Sequence, residues 1–162
     1  MNHYSKLRSL GLILATGACA YALDADVRLV PQLEMGSSGF EPGIAAEWRD
    51  AERHAFVIRP ELFLNEDGGL GGGAAVLGDF SRSIDLPNRY AVAAGPRLVY
   101  HNSDDSGWEV DAMLTMGCDL SNINDSWRHS VGLIGAIGAL EDTEHDDVDV
   151  GVTAGIYYAY RL

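Results

Sequence analysis

The segment 146–162 constrains the fold most strongly, because apolar and polar side chains alternate along it with a period of two. One face carries Val148, Val150, Val152, Ala154, Ile156, Tyr158 and Tyr160, and the other carries Asp147, Asp149, Gly151, Thr153, Gly155 and Arg161. A period of two is typical of a β-strand with one apolar and one polar face. Because this is the last segment of the sequence, we expect the strand to close a sheet.

Residues 1–22 have the features of a secretory signal peptide. Lys6 and Arg8 precede a short apolar stretch at 10–15, and a small-x-small cleavage site follows at 20–22. We therefore expect cleavage after residue 22. The apolar stretch is too short to cross a bilayer as a helix.

Residues 23–162 are enough for one domain. The chain has 24 acidic residues against 11 Lys and Arg, a formal net charge of −13, which argues against nucleic-acid binding through a basic patch. Cys118 is the only cysteine after the leader, so no internal disulfide is expected. Two alternatives for the leader are a lipoprotein signal that ends at Cys19 and an ordinary buried helix.

Clusters of turn-forming residues divide the domain into eight runs. These clusters lie at 36–39, 50–53, 65–69, 82–87, 103–107, 121–125 and 141–147. The runs between them are about 10–15 residues long, which is the length of tilted membrane strands. Within them Pro31, Pro60 and Pro96 each predict a bulge or a local break in pairing, because proline has no ladder donor.

Most runs alternate as the last one does, although Ile134 breaks the pattern in the seventh. Two observations favour apolar faces that point outward, into lipid. Glycine and alanine share the charged faces near mid-strand, where a narrow lumen needs small residues. The large aromatics of the apolar faces lie near run ends, as in an aromatic girdle: Phe40, Trp48, Phe56, Phe80, Tyr90, Tyr100, Trp108, Trp127, Tyr158 and Tyr160.

The sequence therefore predicts an all-β fold, an eight-stranded antiparallel up-and-down transmembrane β-barrel that follows a cleaved signal peptide. Closure is expected because an open sheet edge in lipid leaves unpaired backbone groups. The charged faces would then meet in the lumen as a salt-bridged plug of Arg28, Glu34, Glu47, Arg59, Glu61, Asp79, Arg97, Glu109, Asp111 and Arg128. Such a plug disfavours a porin-like channel.

The chain resembles the small eight-stranded outer-membrane proteins of the OmpA transmembrane-domain and OmpX type. The architecture covers residues 23–162, and the motif is in the last strand. Thr153, Gly155, Tyr158 and Tyr160 resemble the C-terminal signal that the barrel-assembly machinery reads, although the chain continues to Leu162, where that family commonly ends on the aromatic residue. The resemblance implies an outer-membrane location in a Gram-negative cell, outer-membrane lipid as the surroundings, and the assembly machinery as a partner during insertion.

Acidic residues dominate the turns after the odd-numbered runs, which would face outside the cell if both termini are periplasmic. Their carboxylates suit Ca²⁺ or Mg²⁺, and the candidates are Glu66, Asp67, Asp104, Asp105, Asp142 and Glu144. No spacing matches a calcium-loop motif, so a solvated acidic rim is the favoured interpretation.

A second pattern suggests chemistry. His101 and Ser103 are similar to the His-x-Ser motif of barrel lipid A deacylases, in which His is the base and Ser the nucleophile. Glu109 is the candidate for the third member of such a triad. Asp104 stands where those enzymes have Asn, and a His at a strand end is the simpler interpretation.

We therefore expect a non-enzymatic outer-membrane β-barrel with a structural or surface-interaction role and no cofactor. The alternatives are a lipid-modifying barrel enzyme and an exported soluble barrel in the periplasm. The soluble barrel would turn its apolar faces inward and bind an apolar ligand there.

Overall fold

The structure is a computed structural model that describes residues 25–162 except 37–38, 51–55, 66–67, 82, 85–86, 88, 102–106, 122–127 and 143–146. The predicted signal peptide, residues 1–22, therefore lies outside the described residues, as does Cys19. None of the described residues belongs to a helix long and apolar enough to cross a membrane.

The described residues form eight strands. They are β1 (Ala25–Gly36), β2 (Gly39–Asp50), β3 (Phe56–Leu64), β4 (Leu70–Asp79), β5 (Tyr90–His101), β6 (Gly107–Asp119), β7 (His129–Asp142) and β8 (Asp147–Arg161). Each strand matches one run of the sequence, since the turn-forming clusters interrupt the alternation that lets a chain extend in a sheet.

The strands pair in chain order and close into a barrel. Every neighbouring pair is antiparallel, and β8 returns to pair with β1, with Leu29 opposite Tyr160 and Leu33 opposite Ile156. The predicted eight-stranded antiparallel barrel is confirmed.

The barrel has two ends, which differ in their connections. The terminal end contains the start of β1, the end of β8 and the connections β2–β3, β4–β5 and β6–β7. The far end contains the connections β1–β2, β3–β4, β5–β6 and β7–β8. Two glycines at the far end have positive φ, Gly39 at 109° and Gly68 at 79°, a conformation that a Cβ disfavours.

Pro31, Pro60 and Pro96 each coincide with a gap in one ladder. The pairing of β1 with β8 skips Pro31, that of β2 with β3 skips Pro60, and that of β4 with β5 skips Pro96. The register is the same before and after each gap, so no extra residue is inserted. The predicted local break is confirmed, in the form of a gap rather than a bulge.

The charged faces of the strands point into the lumen and the apolar faces point outward. Buried arginines and carboxylates alternate along the strands with exposed Leu, Ile and Val side chains. The alternative prediction, a soluble barrel whose apolar faces line an internal cavity, is therefore wrong about which faces point inward. The lumen also holds apolar side chains that the alternation did not identify, namely Val30, Val57, Phe63, Leu77, Val99, Met113, Ile134 and Tyr157.

Candidate functional site

The lumen contains a nearly continuous network of charged side chains. Nine of the ten residues that the sequence assigns to it face the lumen, and they are Arg28, Glu34, Glu47, Arg59, Glu61, Asp79, Arg97, Glu109 and Asp111. They face the lumen because each has the parity of the charged face on its strand. Arg59, near the centre of the network, is 0% exposed.

The half of the network nearest the terminal end is built around Glu47. One carboxylate oxygen of Glu47 accepts a hydrogen bond from Arg59 at 2.5 Å, and the other accepts from Arg49 at 3.2 Å. Arg49 also donates to Asp79 at 3.2 Å, and Arg28 pairs with Asp26 at 2.7 Å. This half contains comparable numbers of positive and negative groups, so its buried charges are compensated locally.

Gln32 connects the two halves. Its side-chain oxygen accepts a hydrogen bond from Arg59, and its amide nitrogen donates to Glu34 at 2.7 Å and to Glu61 at 3.2 Å. An amide side chain offers both a donor and an acceptor, so Gln32 can serve a guanidinium and two carboxylates at once.

The half nearest the far end is built around Arg97. Its guanidinium donates to Asp111 at 2.6 Å, to Glu34 at 2.8 Å and to Glu61 at 3.3 Å. Three carboxylates therefore share one guanidinium, and Arg59 adds a longer contact to Glu61 of 3.8 Å. Hydrogen bonds between charged groups are the strong ones, and here they hold four strands together from the inside.

At the far mouth of the lumen, His101 lies between two carboxylates. Its Nε2 is 3.1 Å from Glu109, and its Nδ1 is 3.9 Å from Glu41. The imidazole ring also packs against Phe63, with 5.3 Å between the ring centroids. Ser103, the proposed nucleophile of the enzymatic alternative, lies outside the described residues.

Arg128 is not part of this network. It precedes β7, its side chain is exposed, and its Nη2 donates to the hydroxyl of Tyr160 at 3.3 Å on the outer surface. Its assignment to the lumen assumed that the parity of the seventh strand extends to residue 128. Arg49 is the opposite case, because it lies in the lumen with the parity of the charged face of β2 but is absent from the predicted network.

Glycines in the lumen accommodate large side chains from neighbouring strands. The ring of Phe63 covers Gly71, which is its partner across the β3–β4 ladder, and the ring of Tyr157 covers Gly132 across the β7–β8 ladder. The same Tyr157 ring lies 5.4 Å from the guanidinium carbon of Arg59. Aromatic rings that cover glycines restore packing that the missing side chain would lose.

Asp111 and Glu109 lie over another glycine, Gly138 of β7. A Cβ built at Gly138 would be 2.6 Å from a Glu109 carboxylate oxygen and 2.9 Å from the Asp111 carboxyl carbon. Position 138 therefore requires a glycine, because two carboxylates occupy the space that a larger side chain would need.

The outer surface carries an aliphatic belt between two sets of aromatic side chains. The belt includes the exposed side chains of Leu29, Leu33, Ile44, Val76, Leu98, Val110, Leu114, Leu133, Ile137, Val152 and Ile156. Phe56, Phe80, Tyr90 and Tyr158 lie toward the terminal end, and Phe40 and Trp108 toward the far end. Trp108 also packs on Tyr100, with ring centroids 5.0 Å apart.

The four residues of the C-terminal motif lie along β8. Tyr158 and Tyr160 are on the outer face at the terminal end, while Gly155 lies on the lumen side against Glu34. Thr153, two residues further toward the far end, has the same parity as Gly155.

The candidate metal ligands at the far end are not brought into a described site. Glu66, Asp67, Asp104, Asp105 and Glu144 lie outside the described residues, and so does the side chain of Asp142. Within the described part of the chain, no group of three or more His, Cys, Asp or Glu residues is arranged to hold a metal ion.

Comparisons of the chain with protein-family models, with curated proteins and with solved structures found no match.

Proposed function

We propose that this chain is an outer-membrane β-barrel protein with a structural or surface-interaction role and no enzymatic activity. One observation carries the proposal, namely the exposed aliphatic belt with aromatic side chains at both of its ends. Soluble monomers rarely expose such continuous apolar surface, whereas a lipid-facing barrel requires it. Aromatic side chains are favoured at the two membrane–water interfaces because they combine an apolar body with a polar edge.

The charged lumen supports the same proposal. The ion pairs are inside the barrel and the aliphatic side chains outside, which is the reverse of a soluble barrel core. Each buried guanidinium contacts carboxylates, which reduces the cost of keeping charge in a low-dielectric interior. The tightly filled lumen favours a structural role or a role of the exposed ends over transport.

Outer-membrane lipid and the barrel-assembly machinery are the partners that this proposal implies. The signal peptide at residues 1–22 would direct export, and Thr153, Gly155, Tyr158 and Tyr160 would be read during insertion. Tyr158 and Tyr160 both lie on the outer face of β8 at the terminal end, which supports this part of the proposal. At the acidic far end a solvated rim is the favoured interpretation, and divalent cations that bridge lipid phosphates are the alternative.

Membrane fractionation combined with gel migration tests the proposal. The full chain is expressed in a Gram-negative host, the outer membrane is separated, and the protein is run on a gel cold and after boiling. We expect outer-membrane partition and a band that shifts on heating, because a closed lipid-facing barrel resists detergent until it is boiled. A periplasmic protein that needs no detergent and shows no shift would contradict the proposal.

A lipid-modifying enzyme is the second candidate, and the contact between His101 and Glu109 favours it. A carboxylate 3.1 Å from an imidazole nitrogen is the arrangement that orients a catalytic base. The test is mass spectrometry of lipid A from cells that express the wild type, His101→Ala or Ser103→Ala. Loss of an acyl chain with the wild type alone would support the enzyme, and identical lipid A in all three would exclude it.

A further inference from the structure

Four side chains form a compact group on the outer face at the terminal end, and we call them the Arg–His–Tyr cluster: Arg128, His129, Tyr158 and Tyr160. His129 pairs with Tyr160 across the β7–β8 ladder, and its Nδ1 lies 2.5 Å from the hydroxyl of Tyr158. Arg128 donates to the hydroxyl of Tyr160 at 3.3 Å, and its guanidinium carbon lies 5.8 Å from the centre of that ring.

The contacts within the cluster determine which of its groups donate inside it. The Tyr160 hydroxyl accepts a hydrogen bond from Arg128, so its own proton is available to another acceptor. When the Tyr158 hydroxyl donates to Nδ1 of His129, the ring proton of His129 is on Nε2, which can also donate. The exposed guanidinium of Arg128 carries five N–H groups in a planar fork that suits the oxygens of a phosphate.

Charge distribution along the chain distinguishes this end of the barrel. The connections at the terminal end contain four arginines and three acidic residues, whereas those at the far end contain acidic residues and no Lys or Arg. In a chain with a net charge of −13, an anionic ligand is therefore less strongly repelled at the terminal end than at the far end.

The cluster also lies directly beside the aliphatic belt. Val131 and Leu133 follow His129 on the outer face of β7, and Ile156 precedes Tyr158 on the outer face of β8; all three are exposed. A ligand that contacts the four polar side chains would therefore extend its remaining part along apolar surface. A phospholipid has this construction, with an anionic phosphate joined to acyl chains.

We propose that the Arg–His–Tyr cluster binds the phosphate of a phospholipid head group in the leaflet that meets the terminal end, with the acyl chains along Val131, Leu133 and Ile156. The inference rests on the proposed function, because it requires the belt to lie in lipid. Arg128, the Tyr160 hydroxyl and Nε2 of His129 would donate to the phosphate oxygens, and the tyrosine rings would lie at the head-group level.

Native mass spectrometry of the full chain in a non-ionic detergent tests the proposal. The two probes are dilauroyl phosphatidylglycerol and dilauroylglycerol, which have the same acyl chains but differ in the phosphate. We expect the wild type to retain one phosphatidylglycerol in preference to dilauroylglycerol by about tenfold, as expected when one charge-assisted hydrogen bond is gained. Arg128→Gln with His129→Gln should abolish this preference. Arg89→Gln is the matched control, because Arg89 is an exposed arginine at the same end but in the β4–β5 connection, and it should keep the preference.

The outcomes separate this inference from the proposed function. A heat-shifted barrel band in every variant, together with equal retention of the two lipids by the wild type, would overturn the lipid site and leave the membrane barrel intact. An equal loss in Arg89→Gln would also overturn it, because the attraction would then be diffuse. Displacement of the lipid by millimolar inorganic phosphate would assign the cluster to free phosphate instead. A wild type without a heat-shifted band would contradict the proposed function itself.

Discussion

At the residue scale, single charged side chains in the lumen have a large effect on the stability of the barrel. Arg59 contacts Glu47, Glu61 and Gln32, and all four residues are buried. A buried ion pair adds little over an apolar pair of the same shape, but loss of one partner leaves an uncompensated charge. The network should therefore tolerate the loss of a pair better than the loss of one member.

Arg59→Met should destabilise the barrel by about 3–5 kcal/mol, because it removes a buried cation that Glu47 and Glu61 share. Each carboxylate then keeps one arginine contact, to Arg49 or to Arg97. Arg128→Met is the control, and it should cost less than about 1 kcal/mol because Arg128 is exposed. Urea unfolding in detergent micelles, followed by tryptophan fluorescence, measures both. Equal losses in the two variants would mean that Arg59 is not in a desolvated network.

Gly138→Ala should destabilise the barrel by about 1–3 kcal/mol, since the added methyl would overlap the carboxylates of Asp111 and Glu109. Asp111 cannot easily move away, because Arg97 holds its other oxygen at 2.6 Å. Gly135→Ala is the matched control on the same strand, where a Cβ meets open space. The same unfolding assay should give a midpoint for Gly135→Ala at or above that of the wild type, and a similar fall in both variants would contradict the packing.

At the element scale, each strand has a charged face and an apolar face, and the apolar residues lie at different distances from the ends of the strand. On β7 the exposed belt residues Leu133 and Ile137 lie on either side of the strand's midpoint. Leu120 lies just beyond β6 at the terminal end, and it is exposed to the same extent as Leu133, at 58%. Because Leu120 and Leu133 are equally exposed but lie at different depths along the barrel, substituting each of them tests whether lipid or water surrounds the belt.

Leu133→Arg should cost about 2–4 kcal/mol in a lipid bilayer, and Leu120→Arg about 0–1 kcal/mol, because the penalty for a charge depends on its depth. If the belt faced water, both substitutions would lie within about 0.5 kcal/mol of the wild type. Unfolding of the protein reconstituted in phospholipid vesicles gives the two values. A difference below about 0.5 kcal/mol would place the belt outside the bilayer.

The strands and their faces were predictable from the sequence because period-two alternation and turn chemistry are local signals. The same signals placed nine members of the lumen network correctly. They were misleading where a strand ends, as at Arg128. They also did not identify Gln32 as the residue that connects the two halves of the lumen network. Partners such as Arg97 and Glu34 are 63 residues apart, so only the barrel register brings them together. The rings of Phe63 and Tyr157 in the lumen were also missed, because their glycine partners lie on neighbouring strands.

At the scale of the whole molecule, the barrel is closed laterally by β1–β8 pairing and filled along its axis by side chains. Glu47, Arg59, Leu77 and Met113 are among the largest fully buried side chains, and all point into the lumen. Side chains usually fill the lumen of an eight-stranded barrel, so we expect no continuous aqueous path through it. The barrel is thus expected to insulate, and its charged interior to serve stability rather than conduction.

The last prediction follows from this filling. The full chain in a planar lipid bilayer should show no steady single-channel current. The double substitution Glu47→Ala and Arg59→Ala removes both members of a central pair, so it creates space without leaving one charge unpaired. It should therefore open a small conductance. The remaining carboxylates Glu34, Glu61 and Asp111 share Arg97, so the current should favour cations, as measured by the reversal potential in a KCl gradient. A wild-type current equal to that of the variant would show that the lumen is open, and an anion-selective variant would contradict the excess of carboxylates along the path.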